Sequence, residues 1–287
     1  MKSLYDVAAP AKLNLFLHVT GRRSDGYHLL QSVFMLIDWY DTLHFELRAD
    51  GAISREDLGL ALPIDDLVLR AARTLKSAST TALGVHIGIE KRIPAQAGLG
   101  GGSSDAASTL LALNRLWKLD FSLEKLNRIG LQLGADVPFF LTGQNAWVEG
   151  VGERITPIPL PEGRFLVVKP YQGLETRLIF SDPALKRDSE TAIISGFSAD
   201  AFGFGRNDLQ GVAERLCPGV TQALVWLEGR GLNGRMTGSG SAVFAPVLQH
   251  LELGNVPGTF QVKLCKNLAA HPLLGWAASD SLSVVGL

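Results

Sequence analysis

Cysteine is nearly absent: Cys217 and Cys265 are the only two in 287 residues. They stand far apart and outside any CxxC pattern, which excludes a disulfide framework or a thiolate metal site and leaves two buried, reduced thiols as the expectation. An excess of one charge is lacking too. With 27 basic and 28 acidic residues the net charge is -1, so no broad basic face is available for nucleic acid or an anionic membrane, and any anionic ligand must be handled locally. His18, His28, His44, His86, His250 and His271 have neither HxxxH nor HExxH spacing, which argues against a dedicated metal site. No apolar run approaches membrane-spanning length, and Met1-Lys2-Ser3-Leu4-Tyr5-Asp6 carries neither a signal-peptide core nor an Arg/Ser-rich transit character. The expected location is the cytoplasm.

What is present is enough for a packed interior. Hydrophobic residues make up 46% and charged ones 19%, a balance that excludes a disordered chain. A chain of 287 residues is long for one domain, so two are expected. Glycine and proline concentrate between Gly150 and Pro161, and a boundary there gives domains over 1–154 and 155–287. The first half reads as strands over 13–19, 33–37 and 43–47, then a helix over 65–78. Ser122 is expected to cap a helix carrying Leu126, Ile129 and Leu133, with Gly134 as its C-cap. The second half reads as strands over 165–169, 241–245 and 260–265 with helices over 208–216 and 221–228, an α+β pattern. Residues 267–287 show no assignable pattern.

The densest signal is Pro94-Ala95-Gln96-Ala97-Gly98-Leu99-Gly100-Gly101-Gly102-Ser103-Ser104-Asp105. Val85, Ile87 and Ile89 alternate with polar neighbours before it, as in a half-buried strand; Ala106, Ala107, Leu110, Leu111 and Leu113 recur at helical spacing after it. Strand, glycine turn and helix in that order build a cradle for phosphate. The glycines permit close backbone approach, and the free N–H groups of the helix's first turn face the anion. Ser103 and Ser104 add hydroxyls, and either is a candidate helix cap. No Lys follows the glycines, so this is not a Walker A loop, and neither spacing nor position matches a dinucleotide fingerprint. The charge that balances the phosphates must come from elsewhere.

Two further places supply candidates. In the first strand Leu13, Leu15, Leu17 and Val19 share one face, which puts Lys12 and Asn14 together on the other; that face is either solvated or functional. Asp136 lies between a helix end and the apolar run Val137-Pro138-Phe139-Phe140-Leu141, where a carboxylate is either a cap or a catalytic base. A phosphate cradle, a lysine and a carboxylate in apolar surroundings together meet the needs of phosphoryl transfer.

Three segments resemble the motifs of the GHMP kinase superfamily: Ala9-Pro10-Ala11-Lys12-Leu13-Asn14-Leu15, the cradle, and Met236-Thr237-Gly238-Ser239-Gly240-Ser241-Ala242-Val243-Phe244. Arg22-Arg23-Ser24-Asp25-Gly26-Tyr27-His28 and Gly134-Ala135-Asp136-Val137-Pro138-Phe139-Phe140 resemble the branch whose acceptor is methylerythritol joined to cytidine diphosphate. The resemblance implies an α+β, two-domain fold. Its N-terminal nucleotide-binding α/β domain is a left-over-right strand-helix sandwich, its C-terminal domain is a ferredoxin-like sandwich, and the active site lies in the cleft between them. It implies ATP as co-substrate, Mg²⁺ bridging the phosphate oxygens, and phosphorylation of the acceptor's 2-hydroxyl in isoprenoid precursor synthesis. Asp136 would take the hydroxyl proton, with Lys12 beside it; residues from Pro94 to Ser104 would hold ATP. Asn14 would orient the acceptor, Tyr27, His28 and Phe180 would bind the cytosine, and Gly238 and Ser239 would close the site from the second domain. The expected partner is this small molecule only, with no nucleic acid and no membrane, on a monomer or weak homodimer. Homoserine- or mevalonate-type kinases are the alternative.

Two positions depart from the superfamily pattern. Gln96 stands where glycine is usual, so that part of the cradle must accommodate a side chain. Asp66 stands where an Asn usually helps bind adenine; a carboxylate has only acceptors, so it serves the amino group and not also a ring nitrogen.

Overall fold

The computed structural model describes residues 1–59, 61–249 and 251–279; His250 and the last part of the unassigned tail therefore lie outside the described residues. The chain opens with two long antiparallel strands, β1 (Ser3–Arg22) and β2 (His28–Arg48). The two separate strands expected over 33–37 and 43–47 are one, because a register shift at Asp38 and Trp39, rather than a turn, separates the pairs Ile37–Ala11 and Tyr40–Pro10. β3 (Ile53–Asp57), α1 (Leu67–Ser77) and β4 (Gly84–Glu90) follow, and β3 and β4 pair in parallel. Then come α2 (Gly101–Leu116), α3 (Leu123–Leu133), α4 (Val137–Thr142), β5 (Ala146–Gly150) and β6 (Arg154–Pro157). The first sheet has the order β3-β4-β2-β5-β6, with β1 on β2.

The second sheet has the order β10-β7-β9-β8, from β7 (Arg164–Pro170), β8 (Arg235–Met236), β9 (Val243–Pro246) and β10 (Phe260–Lys266), all antiparallel. Between β7 and β8 run α5 (Thr176–Ser181), α6 (Ile194–Ala199), α7 (Gln210–Leu216) and α8 (Pro218–Glu228). α5 and α6 escape a reading by periodicity because each is only 6 residues long and shows less than two turns of pattern. The first sheet ends at Pro157 and the second begins at Arg164, so residues 158–163 connect the two sheets.

Alternation in the strands builds a layered interior. Along β2, Phe34 and Leu36 join the core under α1 to α4, whereas Val33, Met35 and Ile37 face the second sheet, where Phe165, Val167 and Phe244 meet them. Leu166, Val168, Val243 and Ala245, on the far face of the second sheet, pack with Val212, Val220 and Ala223 of α7 and α8. The layers are therefore helices, sheet, sheet, helices. In β1 the single apolar face expected for Leu13, Leu15, Leu17 and Val19 divides: a register shift between Asn14 and Leu17 sends Leu13, Leu15 and Phe16 to the inter-sheet core and Leu17 and Val19 to the third cluster.

Ser122 caps α3 as expected, accepting from Lys125 N–H at 3.3 Å, but Gly134 ends that helix with φ 173°, extended rather than left-handed. The stretch 267–279 returns to the first half: Leu268 N–H donates to Leu36 O and His271 N–H to Gly143 O, and Leu273 joins the first core. Cys217 and Cys265 are free and buried, and burial pushes the Cys265 thiol up to about 12. Among the described residues no helix is long and apolar enough to cross a membrane.

Candidate active site

A cleft of about 1320 Å³ runs from the cradle, past Lys12 and Asp136, to Tyr27, His28 and Phe180. The cradle forms because Gly98 and Gly100 both take φ 72°, a conformation that glycine adopts without strain. Gly100 is the N-cap of α2; a Cβ there would meet Phe140 at 2.9 Å and Lys12 at 3.1 Å. The first intrahelical bond runs from Ser104 N–H to Gly100 O at 2.9 Å, which leaves the N–H groups of Gly101, Gly102 and Ser103 for an anion at the positive end of α2. The expected serine cap is not realised, since α2 starts two residues before Ser103 with no side-chain cap bond. Ser103 lines the cleft, but Ser104 is fully buried behind it with its hydroxyl unpartnered.

Beside the cradle, and itself lining the cleft, Lys91 binds the carboxylates of Asp41 and Asp105, the latter at 2.5 Å. Asp41 also accepts from Arg92 N–H at 2.6 Å and Ile93 N–H at 2.8 Å, so the turn that leads into the glycines is anchored to β2. Composition and periodicity carry no trace of this cluster.

Lys12 and Asn14 point to the same side of β1, as alternation predicts, and that side faces the cleft rather than bulk solvent: both are buried and both line the cleft. Lys12 Nζ lies 3.5 Å from Asp136 Oδ2, donates to Asn14 Oδ1, and sits 4.7 Å above the Phe34 ring. Burial pulls the ammonium below its usual pKa, and the Asp136 carboxylate pulls it back up. Asp136 precedes α4 but makes no cap bond; its carboxylate instead faces Lys12 at the open side of the pair. Asn14 donates its amide to Ser32 Oγ at 2.9 Å and its backbone N–H to Thr237 Oγ1 at 2.8 Å.

The third motif joins the cradle directly. Ser241 and Ala242 N–H donate to Gln96 O and Ala97 O at 3.2 and 3.1 Å, and a Cβ on Gly98 would fall 2.2 Å from Thr237 O. Gly238 and Ser239 line the cleft, with Ser239 Oγ 2.6 Å from Thr176 Oγ1 of α5. Asn207, which the sequence does not single out, holds this motif by donating to Met236 O and Gly238 O, both at 2.8 Å. Replacing Gly98 by Ala should cost about 1–3 kcal/mol from backbone strain alone, a fall in Tm on the order of 5 °C, and should weaken nucleotide binding. Gly102→Ala is the control, since its Cβ would meet only the tip of the Leu67 side chain at 3.3 Å; a thermal melt showing equal loss for the two would refute the close-approach argument.

Both departures have physical accounts. Gln96 adopts φ 50° and lays its side chain over Gly173, where a Cβ would fall 2.1 Å from its amide oxygen. Asp66 caps α1, its Oδ1 accepting from Leu69 N–H at 3.0 Å and Arg55 at 2.7 Å. Its Oδ2 remains for a donor in the cleft.

At the far end, the His28 and Phe180 rings lie 5.0 Å apart at 33°, and Tyr27 beside them is 65% exposed. Phe180 is thus half-buried, lining the cleft with one side while packing against the third core cluster with the other, and Tyr27 is exposed. Arg187 donates to His28 Nε2 at 3.0 Å. Burial first, and then the charges of Arg187 and Arg22, hold the imidazole below its ordinary pKa.

Family models for the GHMP kinases N terminal domain and the GHMP kinases C terminal match residues 66–144 and 191–255. The chain is 78% identical, over 99% of both chains, to the 4-diphosphocytidyl-2-C-methyl-D-erythritol kinase of Albidiferax ferrireducens (strain ATCC BAA-621 / DSM 15236 / T118). It is 64% identical to the enzyme of that name from Delftia acidovorans (strain DSM 14801 / SPH-1), over 98% of this chain and 100% of the relative. A crystal structure of 4-(cytidine 5'-diphospho)-2C-methyl-D-erythritol kinase superposes with TM-score 0.76 at 33% identity, covering 91% of this chain and 98% of that one. The homoserine kinase from Cytophaga hutchinsonii ATCC 33406 shares the fold, with TM-score 0.70 at 14% identity over 94% and 96% of the two chains.

Proposed function

The chain belongs to the GHMP kinase family, and on that premise we propose that it is an ATP-dependent kinase for the 2-hydroxyl of 4-diphosphocytidyl-2-C-methyl-D-erythritol, in isoprenoid precursor synthesis. The observation that carries this reading is that one cleft joins a phosphate cradle, the Lys12–Asp136 pair and an aromatic slot containing His28.

The N–H groups of Gly101, Gly102 and Ser103 bind ATP phosphates, and Asp66 Oδ2 accepts from the adenine amino group. Asp136 takes the proton of the acceptor hydroxyl as its oxygen bonds to the γ-phosphorus. The bond from that phosphorus to the β-phosphate oxygen breaks, and ADP leaves. Lys12 pairs with the Asp136 carboxylate and neutralises charge on the reacting oxygens. Asn14 holds the Lys12 ammonium and offers its remaining amide hydrogen to the acceptor. Among the described residues no three or more His, Cys, Asp or Glu side chains form a cluster able to hold a metal. A Mg²⁺ accompanying ATP would take its ligands chiefly from phosphates and water, and it would supply charge neutralisation there.

The test is a coupled ADP-release assay with ATP, Mg²⁺ and the cytidine substrate, beside homoserine, mevalonate and galactose. Turnover confined to the cytidine substrate supports the reading. Turnover on another acceptor keeps the phosphate chemistry and overturns the base slot, whereas none at all leaves a nucleotide-binding protein without this reaction. Within that assay, His28→Ala should raise KM for the cytidine substrate by about 10- to 100-fold, the value of one lost base contact, with little change in KM for ATP. Equal losses for both substrates would assign His28 to folding.

A further inference from the structure

We propose that Arg187 is a specificity-determining positioning residue: it fixes His28 in the Nδ1–H form, so that the slot presents a donor and selects cytosine over uracil. This rests on the base-slot reading above. Arg187 does not line the cleft; it works from behind. Its Nε donates to His28 Nε2 at 3.0 Å, its Nη1 to Leu185 O at 2.9 Å, and its Nη2 to Phe180 O at 3.2 Å and Asp182 O at 2.8 Å. One planar side chain therefore ties the His28 ring to the C-terminal end of α5, which carries Phe180.

The chemistry is one-sided. A guanidinium has five N–H donors and no acceptor, so the nitrogen it addresses must present a lone pair. In a neutral imidazole that leaves the proton on Nδ1, which has no hydrogen-bond partner among the described residues, on a residue that lines the cleft. Two arginines beside the ring, Arg22 and Arg187, together with burial, oppose the doubly protonated form. Cytosine N3 is a bare acceptor, whereas uracil N3 carries a hydrogen. A fixed Nδ1–H can bond the first and opposes the second. Released from Arg187, the ring could exchange tautomers and accept from uracil, and the discrimination would shrink. The clamp on Phe180 O and Asp182 O has a second consequence. Phe180 O lies in the last turn of α5, and Asp182 O, just past its end, also accepts from Leu185 N–H at 3.2 Å, so Arg187 also holds the spacing between the slot's two walls.

The tautomer can be read without turnover. Long-range ¹H–¹⁵N correlation spectra of the full chain at neutral pH, with His28 assigned by comparison with His28→Gln, should show a protonated Nδ1 and a bare Nε2. In Arg187→Met this pattern should give way to mixed tautomers. KM for the cytidine substrate should rise about tenfold, preference over the uridine analogue should narrow by a similar factor, and KM for ATP should hold. Arg187→Lys keeps a donor for Nε2 but cannot span the carbonyls, so it should retain the tautomer and the discrimination with a smaller rise in KM; it also serves if the Met variant fails to fold. A wild-type His28 protonated on Nε2, or a folded Met variant with full discrimination, would overturn the proposal. If the wild type does not use the cytidine substrate at all, the functional reading fails while the spectra still decide the tautomer.

Discussion

Asp136→Asn should lower kcat by two to four orders of magnitude, roughly the value of a positioned general base, with ATP affinity within a few-fold of wild type. The asparagine has nearly the shape of the aspartate but no carboxylate to take a proton, and the cradle that holds ATP does not include residue 136. A second effect runs in the same direction. Lys12 is buried, and the Asp136 carboxylate is what raises its pKa against burial. Without that charge the ammonium loses its proton more easily, and neutralisation at the reacting oxygens weakens. The measurement is single-turnover phosphoryl transfer beside equilibrium titration with a non-hydrolysable nucleotide. Loss of nucleotide affinity with an unchanged rate would overturn the base assignment.

The largest effect on stability should come from Lys91→Met. Lys91 is the cation between Asp41, which is fully buried, and Asp105, which is 3% exposed. Removing the partner of buried carboxylates costs about 3–5 kcal/mol, or a fall in Tm on the order of 10 °C for a chain of this size. Asp41 accepts two backbone N–H groups besides Lys91, whereas Asp105 Oδ1 is buried with no hydrogen-bond partner among the described residues. Burial, with the Asp41 charge reinforcing it against the pull of Lys91, pushes Asp105 up to about 8. The sign follows from linkage. A carboxyl whose folded pKa lies above its unfolded value of 3.8 contributes stability that is complete below about pH 4 and is lost as pH rises through about 8. Calorimetry should therefore show a decline over that range that Asp105→Asn flattens. A Lys91→Met protein within 1 kcal/mol of wild type would contradict the buried-pair account.

The base end shows how far local reading reaches. Tyr27 and His28 stand out because an Asp-Gly turn has no core that needs them, and Phe180 stands out only through resemblance. Arg187, which orders His28 and the α5 wall, is 159 residues from His28 in sequence, and nothing in its neighbours marks it. The same holds for Asn207, whose contacts with Met236 O and Gly238 O span 29 and 31 residues. Ser103 and Ser104 show the converse error. Either could cap a helix locally, but Gly100 turns the chain earlier because Phe140 and Lys12 crowd any Cβ there.

By itself the sequence determined whatever depends on period and on short-range chemistry. The strand, glycine turn and helix of the cradle, the Ser122 cap and the shared side of Lys12 and Asn14 follow from alternation, glycine freedom and hydrogen bonds a few residues apart. Tertiary structure alone decided that Asp136 faces Lys12 rather than capping α4, that the β1 register shift sends Leu17 and Val19 to a different core, and that residues 268–279 return to the first half. Each of these turns on which groups meet across long sequence separations, where desolvation of a lysine, crowding at a Cβ or pairing of a carbonyl outweighs the local preference.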